Sequence, residues 1–308
     1  MAGPHTRPGQ NFVSARVRPV PFSYNQLMEN RSESSPAPAS GLLAADEVPP
    51  VEILNPEATG RVLLLYDHAS NRVPRALDGL GLSDIELARH IGWDIGAADV
   101  TRRMADALNA PAVMTNYSRL VIDCNRPLDH PGLILGESDM TPVPANIGLD
   151  EAARALRIGS LFDPYHRAIE GQLDRLQAAG DSGLAPVLLS IHSFTPIMDA
   201  VERPWELGIL WNRDPRLPEA LIRKLRENPD LTIGDNEPYS ARLGYGYALE
   251  RHGDGAGFAN ALIEIRQDLI DTHHGAEDWT QCLLDALAPI LEDDSLYRIR
   301  NSETPNDG

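Results

Sequence analysis

Four short segments of the chain combine the residue types that a hydrolytic site needs. They cover residues 66–71, 119–126, 189–194 and 263–266, and each contains or closely follows an apolar run. Histidine and carboxylate are ligands that catalytic zinc takes, and a further carboxylate moves protons during hydrolysis. Arginine stabilises an oxyanion or holds a carboxylate with two hydrogen bonds. The four segments together predict a metal-assisted hydrolytic site.

Each of these residues taken alone has an ordinary structural interpretation. A lone histidine such as His68 is more often bonded to a neighbour in its loop, and Asp123 with Arg126 is compatible with a structural ion pair. Glu264 in an apolar strand is compatible with an edge residue that faces water. The combination favours a functional site, because ligands of open α/β sheets bind beyond the carboxyl ends of the strands.

Apolar runs alternate with helical patterns along the body of the chain. The predicted strands are 62–66, 112–115, 120–122, 186–191, 207–211 and 261–265, and predicted helices include 95–108, 216–227 and 277–292. Ser83 and Glu86 form a capping box that opens a short helix. Asp163, followed by Pro164, is predicted to cap a longer helix that Gly180 ends. This alternation predicts an α/β three-layer sandwich with a mostly parallel mixed sheet.

The first fifty residues differ in composition from the rest of the chain. Pro, Ser and Ala are frequent there and periodicity is missing, which is typical of a poorly ordered segment. No strong linker divides the remainder. We therefore predict a poorly ordered N-terminal arm over residues 1–50 and a single catalytic α/β domain over residues 51–308.

Composition excludes several classes of function. The formal net charge of -18 disfavours nucleic acid and anionic membrane surfaces as partners. No apolar run approaches the roughly 18 residues of a membrane-spanning helix, and no secretory signal precedes the body, which favours a cytoplasmic protein. Cys124 and Cys282 are far apart in the sequence, so a metal is expected to use histidine and carboxylate ligands.

The four segments resemble those of known zinc enzymes. Residues 189–193 resemble the strand of zinc carboxypeptidases that supplies their last histidine ligand, and residues 264–266 are similar to their Glu-Leu-Arg segment. Arg119 and the pattern at residues 123–126 resemble the arginine and the Asp-x-Asn-Arg motif of the aspartoacylase branch. The resemblance implies a fold like that of zinc carboxypeptidases, also described as phosphorylase/hydrolase-like.

Longer stretches resemble the N-formylglutamate amidohydrolase family. They are residues 67–71, 89–97, 163–166, 237–240 and 262–269, and the resemblance covers roughly residues 60 to 290. It implies hydrolysis of a small N-acylated acidic amino acid, with N-formyl-L-glutamate giving formate and L-glutamate as the best match. It also implies one zinc ion per chain and a place in amino-acid degradation.

The resemblance also implies roles for the polar residues around the metal. Glu264 is expected to act as general base and acid, and Arg119 to stabilise the oxyanion. Asn125 and Arg126 are expected to bind a substrate carboxylate. Arg266 is expected to support either Glu264 or the substrate.

His68 and His192 are the expected metal ligands, and the third ligand has two candidates. The related zinc enzymes use His-x-x-Glu, whereas Asn71 stands here in the place of the glutamate. A neutral amide is a poorer zinc ligand than a carboxylate, so Asn71 either ligates through its oxygen or orients His68. Asp94 is the alternative third ligand, although it is nearly as well suited to cap the following helix.

Two further histidines and one loop have open roles. His166 lies on the apolar face of its predicted helix, which favours a core histidine over a contact with substrate. His252 stands in a glycine-rich segment and is compatible with a cover over the site. Residues 244–247 are expected to form a mobile substrate loop.

Two other functions remain compatible with the sequence. One is a carboxypeptidase or another N-acyl amino acid deacylase on the same scaffold. The other is a catalytically decayed protein that binds a small acid without metal, because the carboxylate of the His-x-x-Glu motif is missing.

Overall fold

The computed structural model describes residues 41–180, 184–198 and 200–300. Most of the predicted arm, residues 1–40, lies outside this range. Residues 41–50 are described, and Leu42 is buried in the core. The division of the chain at residue 50 stays a prediction. Within the part of the chain that the structure describes, no helix is long and apolar enough to cross a membrane.

Eleven strands occur in the described residues, and seven of them form the central sheet. In chain order the strands are β1 (Val51–Leu54), β2 (Val62–Tyr66), β3 (Ala112–Thr115), β4 (Glu137–Ser138), β5 (Thr141–Pro142), β6 (Val187–Phe194), β7 (Ile197–Met198), β8 (Val201–Glu202), β9 (Leu207–Leu210), β10 (Ile233–Asp235) and β11 (Asn260–Arg266). The sheet order is β1-β3-β2-β6-β11-β9-β10, while β4 pairs with β5 and β7 with β8. The four neighbours β3, β2, β6 and β11 are parallel, and β1 and β9 join them antiparallel.

Seven α-helices surround the sheet in the described part of the chain. They are α1 (Asp84–Leu87), α2 (Ala97–Ala107), α3 (Glu151–Arg157), α4 (Asp163–Ala179), α5 (Arg216–Leu225), α6 (Tyr247–Leu249) and α7 (His273–Leu291). A π-helical turn, Ile158–Phe162, joins α3 to α4, and another, Glu250–Asp254, follows α6. Short 3-10 turns occupy Arg75–Gly81, Pro144–Asn146, Ala241–Leu243, Gln267–Leu269 and Asp294–Tyr297.

The helices cover both faces of the sheet. Side chains alternate along a strand, so Leu64 and Tyr66 of β2 pack into one core with residues of α2, α5 and α7. Leu63 and Leu65 of the same strand pack into a second core with Ile169 and other residues of α4. Two cores on opposite faces of a mostly parallel sheet make three layers, which confirms the predicted α/β sandwich.

The structure corrects the prediction for residues 120–122, which form no strand. Their side chains are buried, but the chain turns there: the Val121 N–H donates to Ser118 and the Asp123 N–H to Leu133, at 2.9 and 2.8 Å. A short apolar run predicts burial, and burial alone does not distinguish a strand from a packed turn.

The start of α4 also differs from the prediction. The capping box of Ser83 and Glu86 is present at α1 as expected. Asp163, in contrast, has helical dihedral angles and caps no helix, because the chain is already helical through the preceding π turn. Pro164 lies in the first turn of α4, and Gly180 ends the helix as predicted.

Candidate active site

The predicted site residues meet at the carboxyl ends of the parallel strands. His68 is the second residue after β2, and His192 lies in β6. Glu264 of β11 stands beside His192 in the register of the two strands. Asp94 is brought to the same place by its backbone, because its N–H donates to the His68 carbonyl at 3.1 Å. Residues remote in sequence therefore converge because their strands are neighbours.

Three of these residues present ligand atoms to one another. Oδ2 of Asp94 lies 3.3 Å from Nδ1 of His68 and 2.8 Å from Nδ1 of His192. One ligand atom from each of the three buried residues lies within 4.8 Å of the others. Two imidazole nitrogens and a carboxylate oxygen are a donor set that catalytic zinc takes. His68, Asp94 and His192 therefore fit a metal ion.

The other ring nitrogen of each histidine is held by a second carboxylate. Nε2 of His68 lies 2.8 Å from Oδ1 of Asp123, and Nε2 of His192 lies 3.1 Å from Oδ2 of Asp67. Such contacts fix the orientation and protonation of a metal-binding imidazole. They leave both Nδ1 atoms directed at Asp94. Sequence reasoning assigned no role to Asp67, although its place directly before His68 was a usable signal.

The carboxylates of the cluster favour the protonated form of both histidines. Burial alone would lower the pKa of His192, but hydrogen bonds to Asp67 and Asp94 outweigh it and raise the pKa to about 10. The pKa of His68 is also raised, because Asp123 and Asp94 outweigh burial and the nearby Arg119. A metal ion that binds here replaces these protons.

Glu264 is a buried carboxyl group in the wall of the same cavity. Burial raises its pKa to about 7, and Asp94 raises it further against the opposing effect of His192. Its Oε2 atom is buried without a hydrogen-bond partner among the described residues. An acid that is half ionised near neutral pH is suited to take up and release a proton.

Two arginines supply positive charge to the cavity. Nη2 of Arg119 lies 2.8 Å from Oδ2 of Asp123, and Nη1 lies 3.7 Å from Oδ1 of Asp94. Arg126 donates through Nη1 to the Gly244 carbonyl at 3.1 Å. Its Nε is 4.0 Å from Asp123, so this charge is less closely paired than that of Arg119.

Asn125 is oriented by the backbone of α6. Its Oδ1 accepts a hydrogen bond from the Ala248 N–H at 3.0 Å, and its own N–H donates to Asp123 at 2.9 Å. Because the amide oxygen is engaged, the NH₂ group of Asn125 is the end that is available to donate. Asn125 and Arg126 both line the cavity with the histidines.

Comparison with known proteins places the chain in a family. The sequence model of N-formylglutamate amidohydrolase matches residues 60–271. The chain belongs to this family. It is therefore an amidohydrolase, as the resemblance of segments 67–71 and 262–269 implied. A comparison with curated proteins finds no significant match.

Solved structures support the fold of this amidohydrolase. A gene product of Agrobacterium tumefaciens is 36% identical with a TM-score of 0.76, and the match covers 82% of this chain and 100% of that one. An N-formylglutamate amidohydrolase from Ralstonia eutropha JMP134 is 19% identical with a TM-score of 0.61, covering 80% and 99% of the two chains. The second likeness extends to the fold alone.

Two of the predicted site residues lie outside the cavity wall of the amidohydrolase. Arg266 lies 2.9 Å from Asp268 and 3.4 Å from Glu206, so its charge is paired at the strand end instead of with Glu264. Asn71 lines a separate surface cavity beside Arg72. Neither side chain is among the described residues that line the cavity with His68 and His192. Asp94, the other candidate for third ligand, is among them.

His166 and His252 form a buried pair behind the Asn125 turn. Nε2 of His166 lies 3.1 Å from the Cys124 carbonyl and therefore donates, which leaves Nδ1 to accept from Nε2 of His252 at 2.8 Å. Burial lowers the pKa of both residues to about 3. Neither lines the cavity of the amidohydrolase within the described chain, so both support the site from behind.

Proposed function

We propose that this amidohydrolase hydrolyses N-formyl-L-glutamate to formate and L-glutamate and depends on one zinc ion per chain. The observation that carries the proposal is the position of Glu264. This buried carboxyl group stands beside His192 in the sheet and faces the same cavity as His68 and Asp94. A metal site, a proton carrier and arginine side chains thus share one cavity.

His68, Asp94 and His192 are the residues proposed to hold the metal. When bound there, zinc supplies Lewis acidity, which lowers the pKa of water and polarises the scissile carbonyl group. Asp67 and Asp123 keep the two imidazoles in the orientation in which Nδ1 is the donor atom. The intact donor set supports an active enzyme over the decayed binding protein.

Glu264 is proposed to carry the proton of the reaction. Its carboxylate accepts a proton from the attacking water, and the resulting acid gives that proton to the leaving amine. Burial, which holds its pKa at about 7, makes both directions of transfer accessible near neutral pH.

Arg119 is proposed to stabilise the negative charge that develops on the substrate carbonyl oxygen. Asp123 holds its guanidinium group at 2.8 Å, so the group is oriented before the substrate binds. A fixed donor in a site shielded from water stabilises an oxyanion more than a mobile one, because little reorganisation is needed during the reaction.

Asn125 and Arg126 are proposed to bind a carboxylate of the substrate. The oriented amide and the guanidinium group each donate hydrogen bonds, and a carboxylate is the acceptor that suits such a pair. The cavity has a volume of about 210 Å³, below the range of about 300–1,000 Å³ typical of drug-sized ligands. This size supports a small amino acid derivative over a peptide.

Release of formate from N-formyl-L-glutamate by zinc-loaded protein tests the proposal. We expect Glu264→Gln to lower kcat by about 10²- to 10⁴-fold, the usual contribution of general acid–base catalysis, while its zinc content stays unchanged. Glu206→Gln is the matched control, because Glu206 pairs with Arg266 outside the cavity. N-acetyl-L-glutamate and a C-terminal glutamyl peptide are assayed in parallel. Faster hydrolysis of either would replace the proposed substrate.

A further inference from the structure

A stack of two tyrosine rings between two arginine side chains forms one wall of the cavity. Cζ of Arg126 lies 4.5 Å from the ring centroid of Tyr245. Tyr245 in turn stacks on Tyr239, with centroids 5.1 Å apart and planes at 21°. Arg203 closes the stack with Cζ 4.8 Å from the Tyr239 ring. Arg126, Tyr239 and Tyr245 all line the cavity.

The outer half of this stack is fixed by a hydrogen bond. Nη1 of Arg203 donates to the Tyr239 hydroxyl at 2.9 Å, so Tyr239 is held at both its ring face and its polar end. Tyr239 therefore provides a stationary surface against which the Tyr245 ring rests. Tyr245 is 38% exposed, and its ring contacts Tyr239 and Arg126.

The backbone around Tyr245 is shaped to present the ring to Arg126. Gly244 and Gly246 flank it with φ of 86° and 95°, a left-handed conformation that glycine adopts without steric cost. The Gly244 carbonyl accepts the hydrogen bond from Nη1 of Arg126 at 3.1 Å. One turn thus contacts the guanidinium group twice, through a carbonyl oxygen and through an aromatic face.

We propose that Tyr245 is a positioning residue that holds the Arg126 guanidinium group ready for a substrate carboxylate. A free arginine side chain loses rotamer entropy when it binds a ligand, and a cation held over an aromatic face has lost part of that freedom beforehand. Tyr245 therefore strengthens carboxylate binding through Arg126. The inference rests on the proposed role of Arg126 in substrate binding.

Equilibrium binding of L-glutamate to zinc-loaded protein tests the inference without the need for turnover. Isothermal titration calorimetry is carried out on the unsubstituted protein, Tyr245→Leu and Tyr245→Phe, each also in an Arg126→Gln background. We expect Tyr245→Leu to weaken binding about three- to ten-fold, and Tyr245→Phe, which keeps the aromatic face, to change it less than about two-fold. In the Arg126→Gln background Tyr245→Leu should have no further effect.

The matched control is Leu243→Ala, in the same loop and 78% exposed, which should bind L-glutamate like the unsubstituted protein. Equal weakening by Tyr245→Leu in both backgrounds would overturn the inference, as would no weakening in either or no binding by the unsubstituted protein. Formate release is measured separately. Protein that shows the expected binding pattern but releases no formate keeps the inference and loses the proposed function.

Discussion

Glu264 is a carboxyl group that burial keeps partly protonated near neutral pH. Burial is the largest cause of its raised pKa, about 7, and the charges of His192 and Asp94 act on it in opposite directions. A carboxyl group in water titrates near pH 4.3, where it would accept a proton from water less readily. Its position in a buried strand thus gives Glu264 a pKa that suits its proposed role as a base.

The pH dependence of the reaction follows from this group. Only ionised Glu264 accepts a proton, so we expect kcat/KM for N-formyl-L-glutamate to fall as pH decreases through about 7. A pH series of initial rates at fixed zinc concentration measures this. The residual activity of Glu264→Gln should lack that inflection. An unchanged inflection in the variant would assign it to another group.

Metal content distinguishes the two candidates for the third ligand. Because Oδ2 of Asp94 lies close to Nδ1 of both histidines, we expect His68→Ala and Asp94→Ala to lower the bound zinc well below one per chain. Asn71→Ala should keep it, since Asn71 lines a different cavity. Elemental mass spectrometry of protein purified without chelator measures this. If the Asn71 variant alone lost zinc, Asn71 and not Asp94 would be the third metal ligand.

At the scale of elements, the segment between β3 and β4 carries Arg119 and Arg126 without being a strand or a helix. Arg157 at the end of α3 is buried and donates to the Val121 carbonyl at 2.9 Å and to Oδ1 of Asn146 at 2.6 Å. Asn146 donates to the Leu120 carbonyl at 2.8 Å. These hydrogen bonds engage the Leu120 and Val121 carbonyl groups of the turn that positions Arg119. The sequence had predicted a strand at this place.

The His166–His252 pair makes the stability of this region depend on pH. Both pKa values are about 3 in the folded chain and about 6.5 when unfolded. As the pH falls, the unfolded state therefore binds protons at a higher pH than the folded state does. Stability that is present above pH 6.5 is lost as the pH falls towards 3. At pH 5 the loss is on the order of 2 kcal/mol for each histidine.

Substitution of one member of the pair should reduce this loss. We expect the free energy of unfolding of His252→Gln to change less between pH 7.5 and pH 5 than that of the unsubstituted protein, measured by urea denaturation. His273→Gln, at an exposed histidine, should follow the unsubstituted protein. If the free energy of unfolding of His252→Gln changed as much as that of the unsubstituted protein, the neutral state of the pair would not be what reduces stability at low pH.

At the scale of the whole molecule, a buried acidic cluster stands in a chain with a net charge of -18. Asp67, Asp94 and Asp123 are all buried around the two histidines, so a cation bound there would compensate their negative charge. Binding to the folded chain alone stabilises it according to the ligand concentration. Metal and fold are therefore expected to be coupled.

Removal of the metal should lower the melting temperature. We expect dialysis against a chelator to lower the Tm by several degrees and re-addition of zinc to restore it, measured by calorimetry. His68→Ala should show no zinc-dependent shift. A shift of the same size in His68→Ala would place the stabilising metal elsewhere in the molecule.

The sequence by itself determined the fold class and the family, and seven of its nine predicted site residues line the cavity. Buried strands such as β2 are short continuous apolar runs, so their positions follow from burial. His68, His192 and Glu264 stand at or beside such strands, and their convergence follows from the parallel sheet, whereas a turn positions Arg119. The cytoplasmic location and the specific likeness to zinc carboxypeptidases stay predictions.

Only the tertiary structure decided which side chains act together. The roles of Asp67 and Asp123 depend on ring nitrogens that face them across 3.1 and 2.8 Å. The proximity of Asp94 to the two histidines, and the distance of Asn71 from the cavity, depend on where two loops approach each other. Such contacts are set by packing between segments distant in the sequence, and local patterns encode the residue types but not the distances between them.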